Sequence, residues 1–141
     1  MVSPEEFILS ESDDTRSRVT SDKRARVLLV EDDKALRRYL EITLQRAGYE
    51  VLSAADGLAA MKIALGSSID LVITDAMMPN LSGHELCRFL RNSPSLSKIP
   101  IVLLSALERK EGDAGLADAF LTKPVSADKL TECVMALLTA K

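Results

Sequence analysis

Leu71-Val72-Ile73-Thr74-Asp75 is a short apolar, β-branched-rich run that stops on a carboxylate, and Val27-Leu28-Leu29-Val30 running into Glu31-Asp32-Asp33 repeats the design. Runs of this kind, without polar alternation, suit strands of a parallel sheet buried on both faces. Two more follow: Ile101-Val102-Leu103-Leu104 ends at Ser105, and a run near Phe120-Leu121-Thr122 ends at Lys123-Pro124. A further strand is expected near Tyr49 to Ser53, second in chain order.

Between the strands the apolar spacing becomes helical. Leu36, Tyr39, Leu40, Thr43, Leu44 and Ala47 recur at three- and four-residue steps up to Gly48, which can take the left-handed conformation that closes a helix. Helices are also expected near Leu58 to Leu65, from about His84 to Arg91, and from Asp128 to Leu138, with Pro79-Asn80 and Gly83 marking a loop before the third. Asp33 suits a helix cap better than a ligand, because acids favour helix N-termini. The alternation predicts an α/β fold: a parallel, doubly wound sheet with right-handed crossovers and helices on both faces.

In such sheets ligands bind beyond the carboxyl ends of the strands. Strand one delivers Glu31 and Asp32 there, strand three Asp75, strand four Ser105 and strand five Lys123. Three carboxylates crowded together raise one another's pKa unless a cation compensates, so the cluster calls for a metal or the Lys123 ammonium. An all-oxygen donor set points to Mg2+, which takes one or two carboxylates and a phosphate oxygen. Asp75 is the candidate nucleophile, able to accept a phosphoryl group as an acyl phosphate, with Ser105 and Lys123 placed to hold its oxygens.

Composition excludes other classes. The 141 residues are 47% hydrophobic and 28% charged, enough for one soluble domain. A net charge of -3 gives no electrostatic reason for direct nucleic-acid or anionic-membrane contact. Cys87 and Cys133 lie far apart without metal-ligand spacing, which suits free thiols in a reducing cytoplasm. No apolar run approaches the ~20 residues of a membrane span, and the acidic start lacks the features of a signal peptide. Residues 1–24, rich in Ser, Thr and acids around Phe7-Ile8-Leu9, are expected to be a flexible polar tail before a folded unit at 25–141.

The segments LLVEDDKALRR, LVITDAMMPNLSG, IVLLSA and FLTKP, in that order and each at a strand end, resemble the receiver domains of bacterial two-component response regulators. The resemblance runs from about Arg26 to the C-terminus. It implies the flavodoxin-like strand order 2-1-3-4-5 over five strands. It also implies phosphorylation on Asp75 and a Mg2+ held directly by Asp32, mostly through water by Glu31, and by Asp75 and the Met77 backbone carbonyl as further ligands. Ser105 and Lys123 would hold the phosphoryl group, Phe120 would follow Ser105 as a switch, the Lys123-Pro124 bond would be cis, and Gly83 would end the loop after Asp75.

By the same resemblance, a sensor histidine kinase or phosphotransfer protein is the donor and an unidentified downstream protein receives the signal. The chain would be a switch rather than an enzyme, with at most slow autodephosphorylation. It departs from the family between Ser105 and Phe120, a short interval holding Gly112 and Gly115, where the fourth helix of the family should be short or missing. Met77 and Leu107, two residues beyond Asp75 and Ser105, carry no group able to orient a water, so a long-lived phosphoryl group is expected. Two rivals remain: a receiver-like adaptor that works without phosphorylation, and an aspartyl-phosphate phosphohydrolase, which needs an acid where Met77 stands.

Overall fold

The computed structural model describes residues 24–78, 80–106 and 116–140. Residues 1–23 of the expected N-terminal tail and the interval 107–115, where the family's fourth helix is expected to be short or missing, lie outside the described residues. Among the described residues nine elements follow one another: β1 (Arg26–Val30), α1 (Lys34–Arg46), β2 (Glu50–Ala54), α2 (Gly57–Gly66), β3 (Leu71–Asp75), α3 (Gly83–Asn92), β4 (Ile101–Ser105), β5 (Ala119–Thr122) and α4 (Ala127–Thr139). All strand pairs are parallel, in the order β2-β1-β3-β4-β5.

The pleat sorts each strand's side chains between two cores. Leu28, Val30, Val72, Ile101 and Leu103 pack with Ala60 and Ala64 of α2 and with Leu86, Cys87 and Leu90 of α3. Their chain neighbours Val27, Leu29, Leu71, Ile73, Val102 and Leu104 pack on the other face with Leu40 and Leu44 of α1 and Leu130 and Val134 of α4. A strand buried on both sides has no use for polar alternation, which is why these runs read as continuous. Neither cysteine is in a disulfide; Cys87 is buried and Cys133 half-buried. Among the described residues no helix is long and apolar enough to cross a membrane.

Side chains written into the sequence start the helices. Asp33, Asp56, Ser82 and Ser126 each accept a backbone N–H three residues on, and Ser82 and Glu85 complete a reciprocal capping box. Helix α1 ends through Gly48 at φ 100°, and the Tyr49 N–H returns to the Leu44 carbonyl at 3.1 Å. That bond spends Tyr49 on closing the helix, so β2 starts one residue later than its apolar pattern suggests.

At the amino ends of β4 and β5, Arg91 reaches back from α3. Its Nε donates to the Leu116 carbonyl at 3.0 Å, Nη1 to those of Ser97 and Ile99 at 2.9 Å each, and Nη2 to Asp118 at 2.7 Å. Asp118 Oδ2 also accepts the Ile101 N–H at 2.8 Å, which ties the beginnings of the two strands together.

Candidate functional site

The carboxyl ends of β1, β3 and β5 bring four charged side chains together. The Glu31 N–H donates to the Ala54 carbonyl at 3.1 Å, so residue 31 still follows the ladder and its side chain enters the interior, fully buried. The chain then turns through exposed Asp32 into Asp33, whose side chain caps α1 as expected and is not part of the cluster. On β3, buried Thr74 donates its hydroxyl to the Asp75 carbonyl at 3.0 Å, and the Ala76 N–H continues the ladder to Leu104 at 2.8 Å.

Gly83 is needed for close approach rather than for an unusual φ. A Cβ there would overlap the Asp75 carbonyl oxygen and come within 2.9 Å of the Ala76 Cα, so the loop after β3 can fold back only over a residue without a side chain. The Lys123 N–H donates to the Ser105 carbonyl at 2.8 Å, carrying the pairing of β4 and β5 to the site, and the Lys123-Pro124 bond is cis as the resemblance implies.

Carboxylate oxygens of Glu31, Asp32 and Asp75 lie within 4.8 Å of one another. Lys123 Nζ stands 3.3 Å from Glu31 Oε1 and 3.1 Å from Asp75 Oδ2. Asp75 is 5% exposed and Glu31 0%, so both carboxylates are largely stripped of water. Burial pushes the Glu31 carboxyl up to about 7; the Asp33 N–H opposes this, the charge of Asp75 adds to it, and Lys123 opposes it. Burial also works against the Lys123 ammonium, but its hydrogen bond to Asp75 and the charges of Asp75 and Glu31 outweigh that and raise its pKa.

These residues fit a divalent cation. Three carboxylates facing one ammonium leave formally two negative charges in excess. Glu31 Oε1 is buried with Lys123 Nζ 3.3 Å away as its ion-pair partner, in a geometry that does not make a hydrogen bond. All available donors are hard oxygens, the set that suits Mg2+.

Of the residues singled out from the sequence, Glu31, Asp32, Asp75 and Lys123 converge. Ser105 is half-buried at the last position of β4, its residue paired with Thr122 on β5. Met77 presents its N–H 3.4 Å from Asp75 Oδ1 while its side chain is 72% exposed. Phe120 is partly buried against the core shared with α2 and α3. Two residues went unassigned in the sequence: Thr74, whose hydroxyl fixes the Asp75 carbonyl, and Arg37, whose Nη1 donates to the Glu31 carbonyl at 2.7 Å. Thr74 could have been picked out as a polar residue inside an apolar strand; Arg37, on an exposed-looking helix position, carried no such signal.

The family model for the response regulator receiver domain matches residues 27–135. The transcriptional regulatory protein YrkP of Bacillus subtilis is 44% identical over 117 residues, covering 80% of this chain and 49% of its own length. Among solved structures, the chemotaxis protein CheY4 of Vibrio cholerae superposes with a TM-score of 0.77 at 31% identity, over 82% of this chain and 100% of its own. The response regulator TrrA of Thermotoga maritima, solved in complex with Mg(2+)-BeF, superposes with a TM-score of 0.74 at 34% identity, over 81% of this chain and 99% of its own. The chain spans about half the length of the first curated relatives it matches.

Proposed function

The chain belongs to the response regulator receiver family, and from that premise we propose that it is a Mg2+-dependent phosphoacceptor switch phosphorylated on Asp75. Receiver domains are signalling switches of two-component systems, and response regulators receive their phosphoryl groups from histidine kinases. The observation that carries the assignment to Asp75 is the Lys123 ammonium lying between Glu31 and Asp75, with Asp32 completing the carboxylate cluster.

In the proposed reaction an Asp75 carboxylate oxygen attacks the phosphorus of a phosphohistidine on the sensor kinase or on a phosphotransfer protein. The O–P bond forms as the P–N bond breaks, and the departing imidazole nitrogen recovers a proton from water. Lys123 neutralises one transferring oxygen, and the Ser105 hydroxyl donates to another. Asp32 and Glu31, with the Met77 carbonyl, would hold Mg2+. When bound, the ion supplies the charge that lets a phosphate dianion approach three carboxylates.

Phosphorylation adds about two negative charges at the sheet's edge. Ser105 moving toward them vacates space near Phe120 on the neighbouring strand, and its repacking carries the signal to a downstream protein. The net charge of -3 favours a protein surface over nucleic acid as this domain's own contact, and two cysteines outside any disulfide suit a cytoplasmic setting. The phosphohydrolase alternative lacks its acid, since Met77 occupies the place.

Incubation with acetyl phosphate and Mg2+, followed by intact-mass spectrometry, tests the proposal. One added phosphoryl group is expected, with none when EDTA replaces Mg2+. Loading that continues without a divalent ion would defeat the Mg2+ mechanism, and no loading under either condition would favour the adaptor reading.

A further inference from the structure

We propose that Arg37 is a positioning residue for the metal pair, holding the peptide group between Glu31 and Asp32 so that the Asp32 carboxylate faces the site. The inference rests on the Mg2+ reading above and assigns a part to a residue outside the cluster.

Glu31 is restrained at three polar atoms. Its N–H donates to the Ala54 carbonyl at 3.1 Å, its Oε2 accepts the Asp33 N–H at 3.1 Å, and its carbonyl accepts Arg37 Nη1 at 2.7 Å. The first two place the residue and its side chain. Only the third acts on the following peptide plane, because a planar peptide fixes the carbonyl of one residue and the N–H and Cα of the next together. Rotating that plane would swing Asp32 relative to Glu31 and Asp75, whose carboxylate oxygens now lie within 4.8 Å of its own.

Arg37 is well founded for this task. Its own N–H makes the opening bond of α1 to the Asp33 carbonyl at 2.8 Å, and the Asp33 side chain caps the same turn. A rigid first turn therefore aims a long planar donor back at the strand end. At 2.7 Å the bond is short, as expected when the donor is charged.

Electrostatics makes the idea sharply testable. A guanidinium beside a divalent-cation site repels the cation, so if charge alone mattered its removal would tighten Mg2+ binding. Positioning predicts the opposite sign. Outer groups that orient metal ligands typically cost about 10- to 100-fold in affinity when removed.

The test is calorimetric Mg2+ titration of the full chain as wild type, Arg37→Met, which keeps the aliphatic stem, and Arg37→Lys, which keeps a cationic donor. Acetyl phosphate loading is followed as a function of Mg2+ in parallel. Arg37→Met should bind Mg2+ about tenfold more weakly, need correspondingly more Mg2+ for half-maximal loading, and reach the wild-type rate at saturation. Arg37→Lys should recover most of the affinity. Unchanged or tighter binding by Arg37→Met overturns the inference. Wild-type protein whose Mg2+ binding is absent, or is insensitive to Asp32→Asn, would instead overturn the metal reading, a distinct result.

Discussion

At the amino ends of β4 and β5, Arg91 donates four hydrogen bonds and Asp118 Oδ2 accepts two, so that cation and anion are spent mainly on each other and on the backbone around them. At the carboxyl ends of the same sheet three carboxylates share one ammonium, and the buried Glu31 Oε1 makes no hydrogen bond. Both clusters are charged, and each joins several elements. A charge cluster that serves folding closes on itself, whereas one that serves binding is left short of the charge and donors its ligand will bring.

The largest expected contrast is between the two aspartates. Asp75→Asn should abolish acetyl phosphate loading, because an amide cannot form the acyl phosphate, and should leave the protein folded. Asp118→Asn should lower stability yet leave every folded molecule able to load. Intact mass and circular dichroism on both variants suffice. Labelled Asp75→Asn protein, or folded Asp118→Asn protein that fails to load, would break the division between the poles.

Next in size is the cost of opening the closed cluster. Arg91→Ala strips donors from the carbonyls of Leu116, Ser97 and Ile99 and leaves Asp118 without its cation. The loss should be about 2 to 4 kcal/mol, read from urea unfolding, given the cost of stranding partly buried acceptors and an ion-pair partner. A shift below about 1 kcal/mol would show that water replaces the guanidinium, and the amino-end cluster would then be an ordinary surface pair.

Much of the carboxyl-end pole could be read from sequence because its residues terminate apolar runs: a strand's last position is where a polar residue becomes visible. The same logic found all five strands and the Asp33 cap of α1, whereas Asp56, Ser82 and Ser126 cap the other helices without having been singled out in the sequence. The amino-end pole stayed hidden. Arg91 reads as a basic residue in a helix's last turn and Asp118 as a loop acid; they stand 27 residues apart and meet only because the end of α3 lies against the amino ends of the neighbouring strands β4 and β5. Arg37 was hidden for a related reason: its bond depends on the angle at which α1 leaves β1. Gly83 was legible as a loop end, but its reason, the close passage over the Asp75 carbonyl, needed coordinates.

The under-satisfied pole should also make stability respond to pH. With the Glu31 carboxyl raised to about 7 from 4.5, the native chain binds more protons than the unfolded chain between those values. Stability of the metal-free protein is therefore greatest below that window and falls as pH rises through it, by something on the order of 2 kcal/mol. Mg2+, which favours the ionised carboxylate, should flatten or reverse the slope, and Glu31→Gln should remove it. Urea unfolding in EDTA at about pH 5 and pH 8 makes the comparison. Greater stability at the higher pH would mean that Lys123 already neutralises the cluster unaided.

The smallest effect expected is on a rate, and it separates the poles most finely. Once Asp75 carries a phosphoryl group, hydrolysis needs a water aligned behind the phosphorus. Met77 has its N–H 3.4 Å from Asp75 Oδ1 and a 72% exposed side chain, so it lies where such a water would pass, but a thioether is too weak an acceptor to hold one. The phosphoryl group should therefore be long-lived, and Met77→Gln, which adds an amide donor and acceptor at similar volume, should shorten its lifetime several-fold, about 1 kcal/mol off the barrier. Leu65, also exposed but at the far end of α2, is the control, and Leu65→Gln should change nothing. An equal response at both positions would trace the lifetime to general surface polarity; a response confined to Met77 would mean that one exposed side chain beside an unsatisfied cluster governs how long the signal lasts.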